Sequence, residues 1–209
     1  VYWKAMSART DTPAASASSL GPSRAGLSSL ALKVVAIVGM TFNHACYLFY
    51  PYLPVEARCV LFGVGGLTFP IMAFLLVEGY RHTSSIERYA GRLLAFALVA
   101  QVPYGLFLAR NFNVLFTLLI GLMILHARDR MQDRVQFWIA AAALTAVSAL
   151  CDWGIVGPLM ILMMQTIPER RQRIILPLLV PILGTGLPAL SDYLASFDLT
   201  LLPFALYPL

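Results

Sequence analysis

The chain is short of charge. Only 12% of its 209 residues are Asp, Glu, Lys or Arg, about half the share of a soluble domain. That leaves too few polar groups to solvate the surface of an ordinary globular fold. Cysteine is scarce as well. Cys46, Cys59 and Cys151 form no C-x-x-C pair and no zinc-ligand spacing. One disulfide among them is one reading; packed free thiols are the expectation. There is no block of like charge. The net charge of +5 is spread over short loops between apolar runs, so nothing offers a basic face to nucleic acid. Neither a fixed-period repeat nor an inverted repeat of the transporter kind is visible.

What the sequence has in quantity is hydrocarbon. Apolar residues make up 59% of it, and its mean hydropathy is +0.77. One membrane span takes about 20 apolar residues, so about seven or eight would nearly fill the chain. The fold class expected is an all-α, polytopic helix bundle in a lipid bilayer. The apolar runs predict spans at roughly Leu27–Tyr50, Cys59–Tyr80, Gly91–Ala109, Asn111–Ala127, Val135–Cys151, Trp153–Ile167 and Ile174–Leu190, with a last one opening near Leu199. A rival reading joins the fifth and sixth as a re-entrant pair around Cys151-Asp152-Trp153-Gly154.

Residues 1–26 differ in kind. Ala, Ser, Thr, Gly and Pro dominate Ser7 to Gly26, which predicts a disordered tail ahead of the transmembrane domain, 27–209. No short apolar region with a small-residue cleavage site precedes the first span, so a signal peptide is not expected. Met6 is a candidate native start.

The loops set the orientation. Alternate connections hold Lys4, Arg9, Arg24 and Lys33; Arg81, Arg88 and Arg92; Arg128, Arg130 and Arg134; Arg170, Arg171 and Arg173. The other set holds only Arg58 and Arg110. Thirteen basic residues against two places the N-terminus in the cytoplasm by the positive-inside rule. Eight spans would return the C-terminus there. The opposite loops carry Glu56, Asp152, Asp192 and Asp198.

Within this apolar setting His44 stands out. A titratable ring inside a span is costly and marks a functional-site candidate. Imidazole is suited to proton transfer near neutral pH. Counting helical rise from Leu30 puts His44 about 21 Å from the inner side, near the outer face. Asn43 beside it is a candidate to fix its tautomer, and Asp152 to orient it. Water or a backbone carbonyl at the interface would satisfy the ring equally well. Glu78 falls at the inner end of its span and is not expected to meet His44.

Glu78, Arg81, Arg88 and Arg92 bracket a short inner loop. They suit an anionic cofactor such as the phosphates of coenzyme A, or simply an ion pair and the positive-inside bias. Gln101, Pro103 and Tyr104 interrupt the third predicted span. Asn113 and Thr117, four residues apart, share a helix face. Gln101, Asn113 and Thr117 suit a polar substrate cavity or interhelical hydrogen bonds. Gly63, Gly65 and Gly66 permit close helix approach, and Pro70 predicts a kink. Met160, Met163 and Met164 read as packing, and no metal site is expected.

These segments together resemble the TraX family of conjugative plasmids, membrane proteins associated with N-terminal acetylation of pilin. The family's first-span pattern, a lysine, an apolar stretch and an Asp-His pair, is matched by Lys33 through Asn43-His44. Its second-span pattern, Gly-Arg-x-x-Phe-Pro and then Glu-Gly, is matched by Gly65 to Pro70 and Glu78-Gly79. Thr83, Tyr89, Arg92-Leu93, Gln101 to Tyr104, Asn113 to Leu118 and Asp152 to Gly157 extend the likeness, which fades after Pro168. Two positions depart from the pattern: Asn43 stands for aspartate and Gly66 for arginine. The family often continues Tyr-Pro-Leu with histidine, and here Tyr207-Pro208-Leu209 ends the sequence.

The resemblance implies a multi-pass acetyltransferase of the bacterial inner membrane, distantly similar to membrane acyltransferases. Acetyl-CoA would be the donor, a pilin or similar N-terminus the acceptor, and His44 the base. A non-catalytic protein that binds or assembles pilin subunits is the first alternative, and a small transporter the second. With the base placed outside and the donor inside, either the pantetheine arm must reach up the bundle or the acetyl group must be relayed.

Overall fold

A computed structural model describes residues 28–108 and 111–206. The expected tail, Arg110 and the Tyr207-Pro208-Leu209 motif lie outside the described residues.

The first helix, α1 (Ser29–Leu48), opens on a side-chain cap, with Ser28 Oγ accepting from the Ala31 amide at 3.1 Å. Next come α2 (Val55–Gly66), α3 (Thr68–His82), α4 (Ile86–Leu108) and α5 (Val114–Arg130). They are followed by α6 (Arg134–Ser148), α7 (Val156–Thr166) and α8 (Arg170–Pro181). One π-helical turn, Ile182–Gly186, leads into α9 (Leu187–Ser196), and α10 (Leu202–Leu206) is short. No named strand occurs among the described residues; Phe112 and Cys151 form an isolated bridge.

Among the described residues, four rods are long and apolar enough to cross a membrane: Ser29–Leu48, Val55–His82, Ile86–Leu108 and Arg170–Ser196. The second differs from its predicted limits. It opens at Val55 rather than Cys59 and is broken at Leu67, just ahead of Pro70. Pro70 has no amide to donate back one turn, so the break falls there. Pro103, in contrast, does not interrupt α4, which runs through it. The sequence from Leu199 gives only the five residues of α10, packed beside the outer end of α2. There the rings of Phe62 and Phe204 lie 5.5 Å apart, and Tyr50 Oη donates to Thr200 O.

The core is built round α5. Leu118, Leu122 and Leu125 pack with Phe69, Ala73 and Val77 of α3 and with Met160, Ile161 and Met164 of α7. The methionines are therefore packing groups. α6 has 15 residues and α7 has 11, about 22 and 16 Å long. Both are shorter than a hydrocarbon core of about 30 Å, and the half-buried turn between them stacks Trp153 on Phe69 at 4.5 Å.

α1 lies close against α2 and α3. A methyl group added at Gly65 would sit 2.7 Å from Asn43 Cβ and 3.2 Å from its Cα, and one at Gly39 would sit 2.6 Å from Thr68 Oγ1. Because backbone opposes Gly65, the helix itself must give. Gly65→Val is expected to cost about 1–3 kcal/mol, read as a lower unfolding midpoint in detergent than that of Gly63→Val, where the added methyl meets open space.

Candidate functional site

The Gly65 contact fixes the height of His44. The α2–α3 rod spans 28 residues, about 42 Å, with Thr68 near its middle. Asn43 packs against Gly65, three residues or about 5 Å above that point. His44 therefore sits roughly 5 Å to the outer side of the middle of that rod, in the same outer half that counting along α1 gives.

The His44 ring is held edge-to-face by Tyr104 of α4, centroids 5.7 Å apart. It lines a cleft of about 460 Å³ between α1, α4 and the start of α5, with Met40, Pro103, Tyr104 and Asn113. It also lines a void of about 20 Å³ with Asn43, Gly65, Thr68, Asp152 and Trp153, room for about one water. So the three residues picked as catalytic, His44, Asn43 and Asp152, meet at one small cavity. Asn43 is 7% exposed, and its Nδ2 is a buried donor with no hydrogen-bond partner. Such a group costs about 1–3 kcal/mol.

Asp152 is held by its backbone. Its amide donates to Phe112 O at 2.8 Å, and its carbonyl accepts from Thr117 Oγ1. Its Oδ1 accepts from the Trp153 amide at 3.2 Å. Thr117, with no exposed surface, thus acts through this turn. Gln101 and Asn113 engage each other and the backbone. Asn113 Nδ2 donates to Ala97 O at 2.8 Å and to Gln101 Oε1 at 3.0 Å, while its Oδ1 caps α5 by accepting from the Leu115 amide. These two read as interhelical struts, and of them Asn113 lines the His44 cleft.

Below Met40 a larger cavity, about 660 Å³, opens on the arginine-rich face. Its walls are apolar, and Lys33, His82, Thr83, Tyr89 and Arg92 lie near its mouth. Met40 lines this cavity, the cleft and the void alike, so one side chain separates the inner cavity from His44. Of the four residues picked for an anionic cofactor, only Arg92 lines it. Arg88 is exposed one turn away. Glu78 pairs with Arg81 at 3.3 Å and Arg173 at 3.6 Å, and Arg81 Nε donates to Gln165 at 3.0 Å, which joins α3 to α7 and α8. Sequence reasoning took Lys33 as a loop charge and as the lysine of the first-span pattern, not as a cofactor contact; its place one turn before Ile37 and two before Met40 on the same helix was the available signal. No cluster of His, Cys, Asp and Glu fit to hold a metal occurs among the described residues.

The family model for TraX protein matches residues 28–207. The probable fimbrial assembly protein FimC, serogroup H1, of Dichelobacter nodosus is 34% identical over 180 residues, 79% of this chain and 72% of that protein. No solved structure matches the chain.

Proposed function

The chain belongs to the TraX family, a pilin-related multi-pass protein of the inner membrane, and from that premise we propose that it transfers an acetyl group from acetyl-CoA to the N-terminal amine of a pilin-like acceptor. One observation carries the reading: a histidine just to the outer side of the middle shares a small void with a buried amide donor that has no partner, directly above a cavity opening on the arginine-rich face. An unpaired buried donor costs stability unless something other than the protein uses it.

The donor's phosphates meet Lys33 and Arg92 at the mouth, with Arg88 and the Glu78–Arg81 pair at the rim. The pantetheine arm lies along the apolar wall, past Met40. Volumes of about 300–1,000 Å³ are usual for ligand cavities, and the inner one is about 660 Å³. Because Met40 lines both the inner cavity and the void at His44, the pantetheine arm can span from donor site to base and no relay is needed.

His44 takes one proton from the acceptor ammonium, and the freed nitrogen attacks the thioester carbonyl. The carbonyl oxygen gains negative charge facing Asn43 Nδ2, an oxyanion donor. The C–S bond then breaks, the second nitrogen proton passes to the leaving coenzyme A thiolate, and His44 releases the first to water. Ammonium and acetyl thioester give N-acetyl amine, free thiol and one proton.

Purified protein in liposomes, given acetyl-CoA and a pilin N-terminal peptide, tests this by the acetyl mass increment on the peptide and release of an equal amount of thiol. Lys33→Glu with Arg92→Glu is expected to raise the KM for acetyl-CoA about tenfold or more, a change of about 1.4 kcal/mol, and to leave the KM for peptide unchanged. Equal KM values for acetyl-CoA in parent and variant would remove the inner cavity from the reading.

A second reading is favoured by the relative's name, a fimbrial assembly protein. On it the chain holds pilin subunits without chemistry. Stable peptide binding with no mass increment supports that reading against acetyl transfer.

A further inference from the structure

A separate cavity of about 410 Å³ lies on the other side of Asp152 and Trp153 from the His44 cleft. Tyr47, Asp152, Trp153, Pro181, Thr185 and Phe204 are on its wall, between the α6–α7 turn, the π-helical turn and α10. Two irregular pieces of backbone meet there. Trp153 has φ of +66°, a left-handed conformation that a bulky side chain rarely adopts. It is kept there by its neighbours: Thr117 and Phe112 hold Asp152, and Ser148 Oγ donates to Gly154 O at 2.8 Å. Opposite, Ile182–Gly186 forms a π-helical turn, with Thr185 Oγ1 donating back to Pro181 O at 2.7 Å. Strained backbone and π turns both concentrate at functional sites.

The chemistry of the wall is specific. Asp152 is its one charged residue, and the rest is apolar or aromatic apart from Thr185. A carboxylate beside aromatic faces suits a cation, and apolar walls suit uncharged side chains attached to it. We propose that this cavity binds the N-terminal ammonium end of the acceptor chain, with the carboxylate of Asp152 on the ammonium and the first apolar side chains against Tyr47, Trp153 and Phe204. The proposal rests on the acetyl-transfer reading, for which it supplies the acceptor site. Asp152 and Trp153 also line the void with His44, so an amine on Asp152 is one residue's width from the base.

The test is binding, measured without donor. A fluorescent peptide with a free N-terminal amine and the same peptide N-acetylated are titrated onto the purified protein. The parent is expected to bind the free amine about tenfold tighter or more, the worth of one lost charge contact of about 1.4 kcal/mol. Asp152→Asn is expected to erase that preference. Ala189→Phe, on the cavity wall, is expected to weaken both peptides, with Thr185→Trp as a second wedge should the first unfold. Ile139→Ala, on an exposed face of α6 away from the cavity wall, is expected to change neither. Equal binding of the two peptides by the parent, or unchanged binding by folded Ala189→Phe and Thr185→Trp, overturns the site. The two proposals fail separately. Amine-dependent binding without acetyl transfer leaves the acceptor site standing and removes the chemistry. Acetyl transfer with an unchanged peptide KM in both wedge variants does the reverse.

Discussion

His44→Ala is expected to lower acetyl transfer by about 10²–10⁴-fold, the usual worth of a positioned general base, with peptide and acetyl-CoA binding retained. An α-amine is largely protonated near neutral pH, so without a base the attacking lone pair is seldom available. The substitution also removes the edge-to-face contact with Tyr104, worth about 0.5–1.5 kcal/mol, so the folded fraction must be measured beside the rate. His44→Gln is the companion variant: it keeps a polar side chain against Tyr104 and cannot accept the proton in the same way. Both variants are expected to be folded and inactive. A folded His44→Gln protein with parental rate excludes His44 as the base.

Asn43→Leu is the second large effect, and its sign on stability opposes its sign on rate. Nδ2 of Asn43 is buried without a partner. Replacing such a donor by an apolar group of similar size is near neutral or stabilising. The same change removes the buried donor without a protein partner at the void, and loss of an oxyanion donor costs about 10²–10³-fold in kcat. The expected result is an unfolding midpoint equal to or above the parent's, with kcat reduced by that factor and both KM values little changed. A purely structural role for Asn43 predicts the reverse: a lower midpoint and an unchanged kcat.

Much of this was readable in the sequence, for identifiable reasons. Long apolar runs and the bias of arginines to alternate loops gave the helical membrane class. The exact helix starts were less legible: Asn113 and Asp133 cap α5 and α6, each accepting from an amide two residues on, whereas the apolar runs had put those starts at Asn111 and Val135. The meeting of Asn43, His44 and Asp152 was anticipated as chemistry but not as geometry. Counting along α1 put His44 in the outer half of the bundle, and the contact of Asn43 with Gly65 gives the same half; what the count could not supply is which residues of α2 and α3 face it. The inner cavity was anticipated through Arg92 but not Lys33. Glu78 and Arg81, read as bracketing a loop, sit in the last turns of α3 and are tied to Arg173 and Gln165. The π turn had no legible signal beyond Pro177, Pro181 and the glycines Gly184 and Gly186 in α8 and after it.

The arrangement makes one claim that no single side chain carries: donor and acceptor reach His44 from opposite sides of the membrane. Proteoliposomes with the protein in one known orientation test it most directly. Acetyl-CoA is supplied only on the arginine-rich face and the acceptor peptide only on the other, and then the two are exchanged. The account predicts N-acetylated peptide in the first arrangement, free coenzyme A on the donor side, and no product in the second. Product formed only when donor and peptide share a compartment, or no product in any arrangement with the peptide bound, contradicts it.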